Sequence, residues 1–314
     1  MRRERQRVFA FGLLVATMTV VPSVASANPF DISLRGLGRP PSDATLDHPT
    51  VLRYKNLSSE LAFALAPRPL APAETLGVSG FEFSLASTTA DINDQADYWQ
   101  GQPGSPVFEG VLPSHGSRGV PTAFWVPTVH VRKGLPMSTE IGITGAYLAW
   151  SEMTMLGVEG KVALHESYFR WAPAISARGA VGRLFGSSDL DLMTIEVDGL
   201  ASLPFGVGGM AQITPYAGYG WLFADVNSHV LDETPYKVND ESVPVADREQ
   251  KGGERGSLYT FPRLMWSDNS HGRFFVGLRV NVAMIEILYE LDVGFLGGEA
   301  GTLHSHSFKI GFDV

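Results

Sequence analysis

Residues 273–293 read RFFVGLRVNVAMIEILYELDV, and this stretch decides the fold class. Apolar side chains occupy every second position on both sides of a short break around Val282 to Met284. Five of the positions between them carry polar side chains, namely Arg279, Asn281, Glu286, Glu290 and Asp292. Because successive side chains of a β-strand point to opposite faces, the pattern predicts two strands joined by a short turn, each with one apolar and one polar face.

The same alternation recurs in eight further stretches. They are Phe81–Leu85, Trp125–Val131, Ile141–Tyr147, Leu156–Leu164, Ile175–Val181, Met193–Ala201, Ile213–Phe223 and Phe308–Val314. The sequence therefore predicts an all-β chain of ten antiparallel strands. A twelve-stranded alternative adds 258–265 and 61–66, but proline flanks or interrupts both stretches, and proline cannot donate to a strand ladder.

Alternation of this kind fits a secreted β-sandwich as well as an antiparallel transmembrane β-barrel. The connections favour the barrel, because the long polar insertions 87–121 and 225–272 fall on one side of the sheet and the short turns fall on the other. Outer-membrane barrels have long extracellular loops and short periplasmic turns. Predicted strands of about ten residues, with aromatic residues near their ends, also match a tilted bilayer crossing.

The composition excludes several other classes of protein. The 314 residues include 24 Lys and Arg against 33 Asp and Glu, a net charge of −9, so we expect no binding of nucleic acid. The absence of Cys excludes disulfide frameworks, thiolate metal sites and Cys nucleophiles. Beyond the N-terminal segment, no apolar run approaches the roughly 20 residues that a membrane-spanning helix requires.

Two segments precede the predicted barrel, which covers 76–314. Residues 1–27 combine an Arg-rich start, an apolar stretch and small residues at the end, the three parts of a cleaved secretory signal peptide. Residues 28–75 are rich in Pro and Gly and carry apolar residues at helical spacing. These apolar residues are Leu57, Leu61, Ala64 and Leu65. We expect 28–75 to form a periplasmic leader with one short helix, packed at or into the periplasmic end of the barrel; a plug or rim helix is the alternative.

Four strand and turn motifs resemble an uncharacterised family of proteobacterial outer-membrane β-barrel proteins. They are SGFEFS at 79–84, HVRKGLP at 130–136, TPYAGYG at 214–220 and RFFVGLR at 273–279. The resemblance runs from about Leu57 to Val314, and it implies the barrel fold and the cell outer membrane, with no activity or catalytic residue. Outer-membrane lipids, lipopolysaccharide and, during insertion, the barrel-assembly machinery are the expected partners. Barrels of this class usually end on an aromatic residue, whereas this chain ends Phe312-Asp313-Val314.

Eleven charged residues on the predicted polar faces are candidates for lining the lumen. The cations are Arg132, Lys161, Arg178, Arg279 and Lys309, and the anions are Glu159, Glu196, Asp198, Glu286, Glu290 and Asp292. The interior of a barrel of about eight strands is just wide enough to be filled by side chains. Because buried charges are costly unless they are paired, the favoured interpretation is a network of ion pairs. The alternative is a charged constriction that selects small solutes in a narrow pore.

Two hypotheses on function follow. One is a narrow or gated channel for small solutes; the other is a structural or adhesive surface protein with a closed lumen and ligand-binding outer loops. We expect no enzyme and no cofactor, because the chain has no GxSxG or HExxH motif. Polar residues in the predicted outer loops show no catalytic spacing: His115, Asp225, His229 and His271. We also expect no metal, because His304-Ser305-His306 and 91–97 lack the ligand sets of zinc and calcium sites.

Overall fold

The computed structural model describes residues 28–100, 111–112, 120–166, 172–232 and 258–313. The predicted signal peptide, 1–27, lies outside these ranges, and so do His115 and Val314. Ten long strands build the fold. They are β1 (Phe81–Asp91), β2 (Ala123–Leu135), β3 (Thr139–Tyr147), β4 (Thr154–His165), β5 (Ala174–Phe185), β6 (Leu190–Ser202), β7 (Ala211–Ser228), β8 (Ser270–Val282), β9 (Ile285–Gly297) and β10 (Gly301–Asp313).

The ten strands form one closed antiparallel barrel. Each strand pairs with the next one along the chain. The first and last strands also pair, from Glu82↔Asp313 to Ala90↔Ser305, which closes the wall. The predicted ten-stranded barrel is therefore confirmed, and a β-sandwich is excluded because the ten described strands close into a single sheet.

The twelve-stranded alternative is wrong. Residues 61–65 belong to an α-helix, and Leu258–Tyr259 pairs only with Leu231–Asp232 in a small ribbon that is separate from the wall. A three-residue strand, Phe205–Val207, adds to β7 near a short turn without becoming a barrel strand. Helical spacing, rather than alternation, is thus the pattern that governs 61–65.

Both long insertions are shorter than predicted, 87–121 at its start and 225–272 at both ends. β1 continues through Ser87 to Asp91, because its Thr88 and Thr89 are β-branched and the ladder to β2 and β10 is unbroken there. β7 continues to Ser228, where it still pairs with β6, and β8 begins at Ser270. Asp225 and His271, predicted in outer loops, are consequently strand residues.

The barrel has an apolar outside and an inside of both polar and apolar side chains. Side chains at alternate positions are exposed, and the large exposed ones on the strands are mainly apolar, among them Phe83, Val158, Val197, Leu278 and Ile310. The intervening positions are buried inside the barrel. Because a soluble protein rarely exposes so continuous an apolar surface, the outside is suited to lipid.

One α-helix of more than a single turn stands among the described residues. It is α1 (Pro49–Leu65), which is flanked by a 3₁₀ turn at Leu34–Leu37 and followed later by the short α2 (Asp97–Gln100). Proline at the first position and the His48 ring, which accepts a hydrogen bond from the Thr50 backbone N–H, begin α1. It ends at Leu65, because Ala66 precedes a proline and a residue in that position disfavours helical geometry. No helix in the described part of the chain has the length and hydropathy needed to cross a membrane.

The segment 28–75 fills the barrel. α1 lies inside it and contacts strands on several sides of the wall, including β1, β2, β6, β7 and β9. Residues 28–37 reach the end where the long connections lie, and Thr75 and Leu76 reach the end with the short turns. The helix is therefore where the spacing predicted it. The segment reaches farther than packing at or into the periplasmic end requires, because it extends through the lumen, and this arrangement corresponds to the alternative of a plug helix.

A substitution on the outside of the wall tests the assignment of faces. Val197→Arg places a charge in the middle of β6 on the exposed face, and we expect it to destabilise the inserted barrel by about 2–4 kcal/mol. Val230→Arg is the matched control, since Val230 is exposed beyond the end of β7 and should cost at most about 1 kcal/mol. Unfolding by denaturant in lipid bilayers measures both values. Equal costs at the two positions would contradict the assignment.

Candidate functional site

The structure places all eleven charged candidates in the barrel interior. Ten of them are buried, and the side chain of the eleventh, Glu159, is only 6% exposed. Eight of them join one network of ion pairs. The remaining three have other partners: Lys161 pairs with Glu140, Arg279 pairs with Glu74, and Glu290 accepts a hydrogen bond from Tyr216.

Half of the network follows the wall from β9 to β4. The Lys309 Nζ lies 2.5 Å from Glu286 Oε1 and 2.7 Å from Glu82 Oε1. Arg132 continues the chain of contacts, with its Nη1 at 3.4 Å from Glu82 Oε2 and its Nε at 2.8 Å from Glu159 Oε1. The cations therefore alternate with carboxylates, so each charge has an opposite neighbour.

The other half returns from β4 to β9 through Arg178 and Arg273. Arg178 donates to Glu159, to Glu196 at 3.0 Å and to Asp198 at 2.6 Å. Arg273 lies 3.0 Å from Glu196 and 3.5 Å from Asp292. Together the two halves form a path of ion pairs around the inside of the wall, from Glu286 to Asp292 on β9, which we call the belt; it uses side chains of eight strands.

Sequence reasoning missed two members of this belt, Glu82 and Arg273. Both occupy inward positions of the same alternation that identified the others, Glu82 between two phenylalanines and Arg273 directly before Phe274. The signal was therefore present at each position. Arg68 and Glu74 could not be found in this way, because they lie on the segment inside the barrel and not on a strand.

Cations of the wall, two of them in the belt, also hold the backbone of the inner segment. Pro67, Pro69 and Pro72 lie outside any helix or strand, so no regular secondary structure supplies hydrogen-bond donors to their carbonyl oxygens. The Pro67 oxygen accepts from Arg178 at 3.1 Å, the Pro69 oxygen accepts from Arg132, and the Pro72 oxygen accepts from Lys161 at 3.2 Å. Each of these proline carbonyls is thus matched to a wall cation.

Two inward glycines make room for the segment. Gly157 on β4 and Gly182 on β5 stand opposite each other in the sheet. A Cβ atom at Gly157 would lie 2.6 Å from Cγ of Pro67, and one at Gly182 would lie 3.0 Å from Cδ of the same ring. The wall therefore has a recess that the proline fills, and Gly294 receives the Phe63 ring in the same manner.

The half of the lumen nearer the long connections is an apolar core. Helix α1 contributes Tyr54, Leu57, Leu61, Phe63 and Leu65 to it. The wall contributes inward apolar side chains that include Phe124, Met155, Leu184, Leu192, Leu222 and Leu303. On the side of this core that faces the short turns, a cavity of about 10 Å³ lies beside Arg68 and His130. This volume is room for about one water molecule.

A buried carboxylate ties α1 to the connection that follows β1. Glu60 accepts hydrogen bonds from the Tyr98 hydroxyl at 2.6 Å, the Trp99 indole at 2.8 Å and the Asn93 backbone at 3.3 Å. Arg53 on the same helix lies 2.7 Å from Asp97. Hydrogen bonds as well as packing therefore hold the helix to this connection.

Glu166 and Glu140 fix the other end of the segment. Glu166 Oε1 accepts from the Thr75 N–H at 3.1 Å and from its hydroxyl, and Oε2 accepts from Ser138 at 2.7 Å. Partial burial raises the pKa of Glu166, but the hydrogen bonds from Thr75 and Ser138 outweigh this and lower it. Glu140 accepts from the Leu76 N–H at 3.2 Å.

Of the polar residues considered for metal binding or catalysis, His229, His304 and His306 lie apart from the lumen contacts, whereas His271 is buried and Asp97 pairs with Arg53 of α1. His304 and His306 are exposed on the outside of β10, where the His306 ring lies 2.8 Å from the Tyr289 hydroxyl. His229 contacts Ser188 O at 2.7 Å and Asp191 at 3.3 Å, and both contacts raise its pKa. Within the described ranges, no group of three or more His, Asp or Glu side chains is arranged to hold a metal ion.

Comparison with known proteins finds distant likenesses among solved structures. The N-terminal β-barrel domain of Pseudomonas aeruginosa OprF is 11% identical over 76% of this chain and 99% of that chain, with a TM-score of 0.28. Ail of Yersinia pestis is 8% identical over 76% and 99%, with a TM-score of 0.28. The translocator domain of autotransporter NalP from Neisseria meningitidis is 9% identical over 83% and 94%, with a TM-score of 0.33.

No model of a known protein family matches the sequence, and no curated protein is significantly similar to it. The resemblance to a proteobacterial family therefore stays a prediction. Likenesses as distant as those to OprF, Ail and NalP carry no argument about function, which has to come from the lumen itself.

The two arginines of β5 offer a test of the belt. Arg178→Ala leaves Glu159, Glu196 and Asp198 short of a buried partner, and we expect a loss of about 3–5 kcal/mol in the free energy of unfolding. Arg183→Ala is the control on the same strand, because Arg183 is exposed and lies 3.8 Å from an exposed Asp191; its loss should stay within about 1 kcal/mol. Denaturant unfolding measures both, and similar losses would refute the belt's role.

The glycine recess gives a second test. We expect Gly157→Ala to destabilise the barrel by about 1–3 kcal/mol, because the new methyl group meets the rigid Pro67 ring. Gly179→Ala is the control, since its Cβ would point outward and lie 3.8 Å from the nearest atom. Adding Pro67→Ala to Gly157→Ala should recover part of the loss, and a double-mutant cycle measures the coupling. A coupling of zero would mean that the recess does not receive Pro67.

Proposed function

We propose that the protein is a structural surface protein of the bacterial outer membrane, a barrel whose lumen is closed by its own residues 28–75. Its contacts with other molecules would then take place at the end with the long connections. The single observation that carries this proposal is the apolar core between α1 and the wall, which fills half of the lumen.

The location rests on the outside of the barrel and on the predicted signal peptide. The exposed faces of the strands carry Phe, Leu, Ile and Val side chains, which suit the acyl chains of outer-membrane lipids and lipopolysaccharide. The barrel-assembly machinery would be the partner during insertion. Phe312 supports this part of the proposal, because its exposed ring lies on the outward face of the last strand.

A closed lumen explains the apolar core better than a gated channel does. Withdrawal of α1 would expose Tyr54, Leu57, Leu61, Phe63 and Leu65, together with the apolar wall residues that they cover. Each buried side chain of this size contributes about 1.5–3 kcal/mol, so withdrawal costs on the order of 10 kcal/mol before any hydrogen bond is counted. This cost is much larger than the free energy with which a ligand ordinarily drives a gate, because coupling energies between sites are about 1–3 kcal/mol.

The charged residues that suggested a selective pore have another role in this proposal. They pair with one another around the wall and donate to the carbonyl oxygens of the inner segment. A constriction that selects ions needs side chains that face a water-filled path. Here Arg132, Lys161 and Arg178 face the backbone of the inner segment instead.

Conductance measurements test the proposal. Purified protein inserted into planar bilayers should show no steady single-channel current, because the lumen is filled along its length. The deletion of 28–75 should fail to give a stable, heat-modifiable barrel, since it exposes an apolar lining and removes partners of buried cations. Regular conductance steps from the full chain, or a stable and conducting barrel after the deletion, would overturn the closed-lumen proposal in favour of a channel.

A further inference from the structure

The segment 28–75 begins at one end of the barrel and leaves it at the other. At the first end, the Phe30 N–H donates to Trp150 O at 3.2 Å, between β3 and β4. The Leu34 N–H donates to Asp189 at 2.9 Å, between β5 and β6. Residues 28–34 are therefore anchored to two separate connections of the wall, both at the same end.

The middle of the segment passes through the belt of charge. Arg68 donates to Ser305 on β10 at 3.1 Å and lies 3.8 Å from Asp292 on β9. On the opposite side of the lumen, Pro67 lies in the recess of β4 and β5. Contacts with opposite sides of the lumen fix the path of the segment along the barrel axis.

At the other end the chain leaves the lumen and turns into the wall. Ala73 donates to Ser202 at 3.1 Å, and Thr75 and Leu76 donate to Glu166 and Glu140. These acceptors lie at or beside the strand ends that the short turns join. β1 begins only a few residues later at Phe81 and runs back toward the end from which the segment came.

The lengths of the connections say which end faces outward. The connections 92–122 and 229–269 lie at the end where residues 28–37 are anchored, and the turns 136–138 and 283–284 lie at the end where the segment leaves. In outer-membrane barrels the long loops are extracellular and the short turns are periplasmic. The anchored end of the segment is therefore the extracellular end.

We infer that residues 28–75 form an eleventh crossing of the membrane, inside the barrel, and that residues 28–48 lie at the cell surface, where 41–43 and 45–47 are exposed. The inference rests on the outer-membrane location in the proposed function, but it does not depend on whether the lumen conducts. It makes the N-terminal segment part of the surface that an extracellular partner meets. It also means that the chain passes from the extracellular end through the lumen to the periplasmic end before it enters the wall as β1.

Labelling of single cysteines tests the inference directly, because the chain has no Cys of its own. Ser42→Cys reports on the N-terminal segment, Glu152→Cys on the β3–β4 connection and Met137→Cys on the β2–β3 turn; all three positions are exposed. Whole cells that express the full chain are treated with a membrane-impermeant maleimide, before and after permeabilisation of the outer membrane. Heat-modifiable migration on a gel confirms that each variant has assembled.

We expect positions 42 and 152 to be labelled fully in intact cells and position 137 only after permeabilisation. Labelling of position 42 that requires permeabilisation, while position 152 is labelled in intact cells, would overturn the inference. Labelling of position 137 but not of positions 42 and 152 in intact cells would also overturn it, because the barrel would then lie the other way round. Neither result would bear on the proposal of a closed lumen, which the conductance measurements test separately.

Discussion

The structure depends on the hydrogen bonds that buried wall cations donate to the carbonyl oxygens of Pro67, Pro69 and Pro72. A guanidinium group has five N–H donors, and a buried donor without an acceptor is costly. The carboxylates of the wall satisfy part of this demand, and the proline carbonyls accept from donors that remain. The wall and the segment therefore need each other, since neither has a satisfied set of buried polar groups alone.

The rest of the interior follows from this constraint in layers. Once the prolines are held at the level of the belt, α1 lies between them and the end with the long connections, where the inward side chains of the wall are apolar. Gly157 and Gly182 allow the backbone to come close enough for the contacts with Arg178 to form. Buried ion pairs do not by themselves add much stability, but they penalise any arrangement that breaks them. The belt thus specifies one position of the segment rather than several.

Much of this fold could be predicted from sequence, because a barrel wall is encoded locally. The alternation in 273–293 and its repeats were sufficient for ten strands, for the outward and inward faces, and for eleven charged residues of the interior. The path of 28–75 could not be predicted in the same way. Helical spacing shows which residues share a face of the helix, but it does not show which surface that face packs against. One local signal was available: residues 61–65 are apolar all round the helix, which is typical of full burial rather than of packing at a rim.

The distinction between a pore and a filled barrel also has a signal in the strands. In a water-filled lumen the inward positions stay polar along the whole strand. Here the inward positions toward the end with the long connections are apolar: β5 carries Leu184 after Arg178, and β6 carries Leu192 before Glu196. Because the strands are antiparallel, the opposite order along β5 and β6 puts both apolar positions at the same end of the barrel. An apolar ring of this kind requires a partner from elsewhere in the chain, and α1 is that partner.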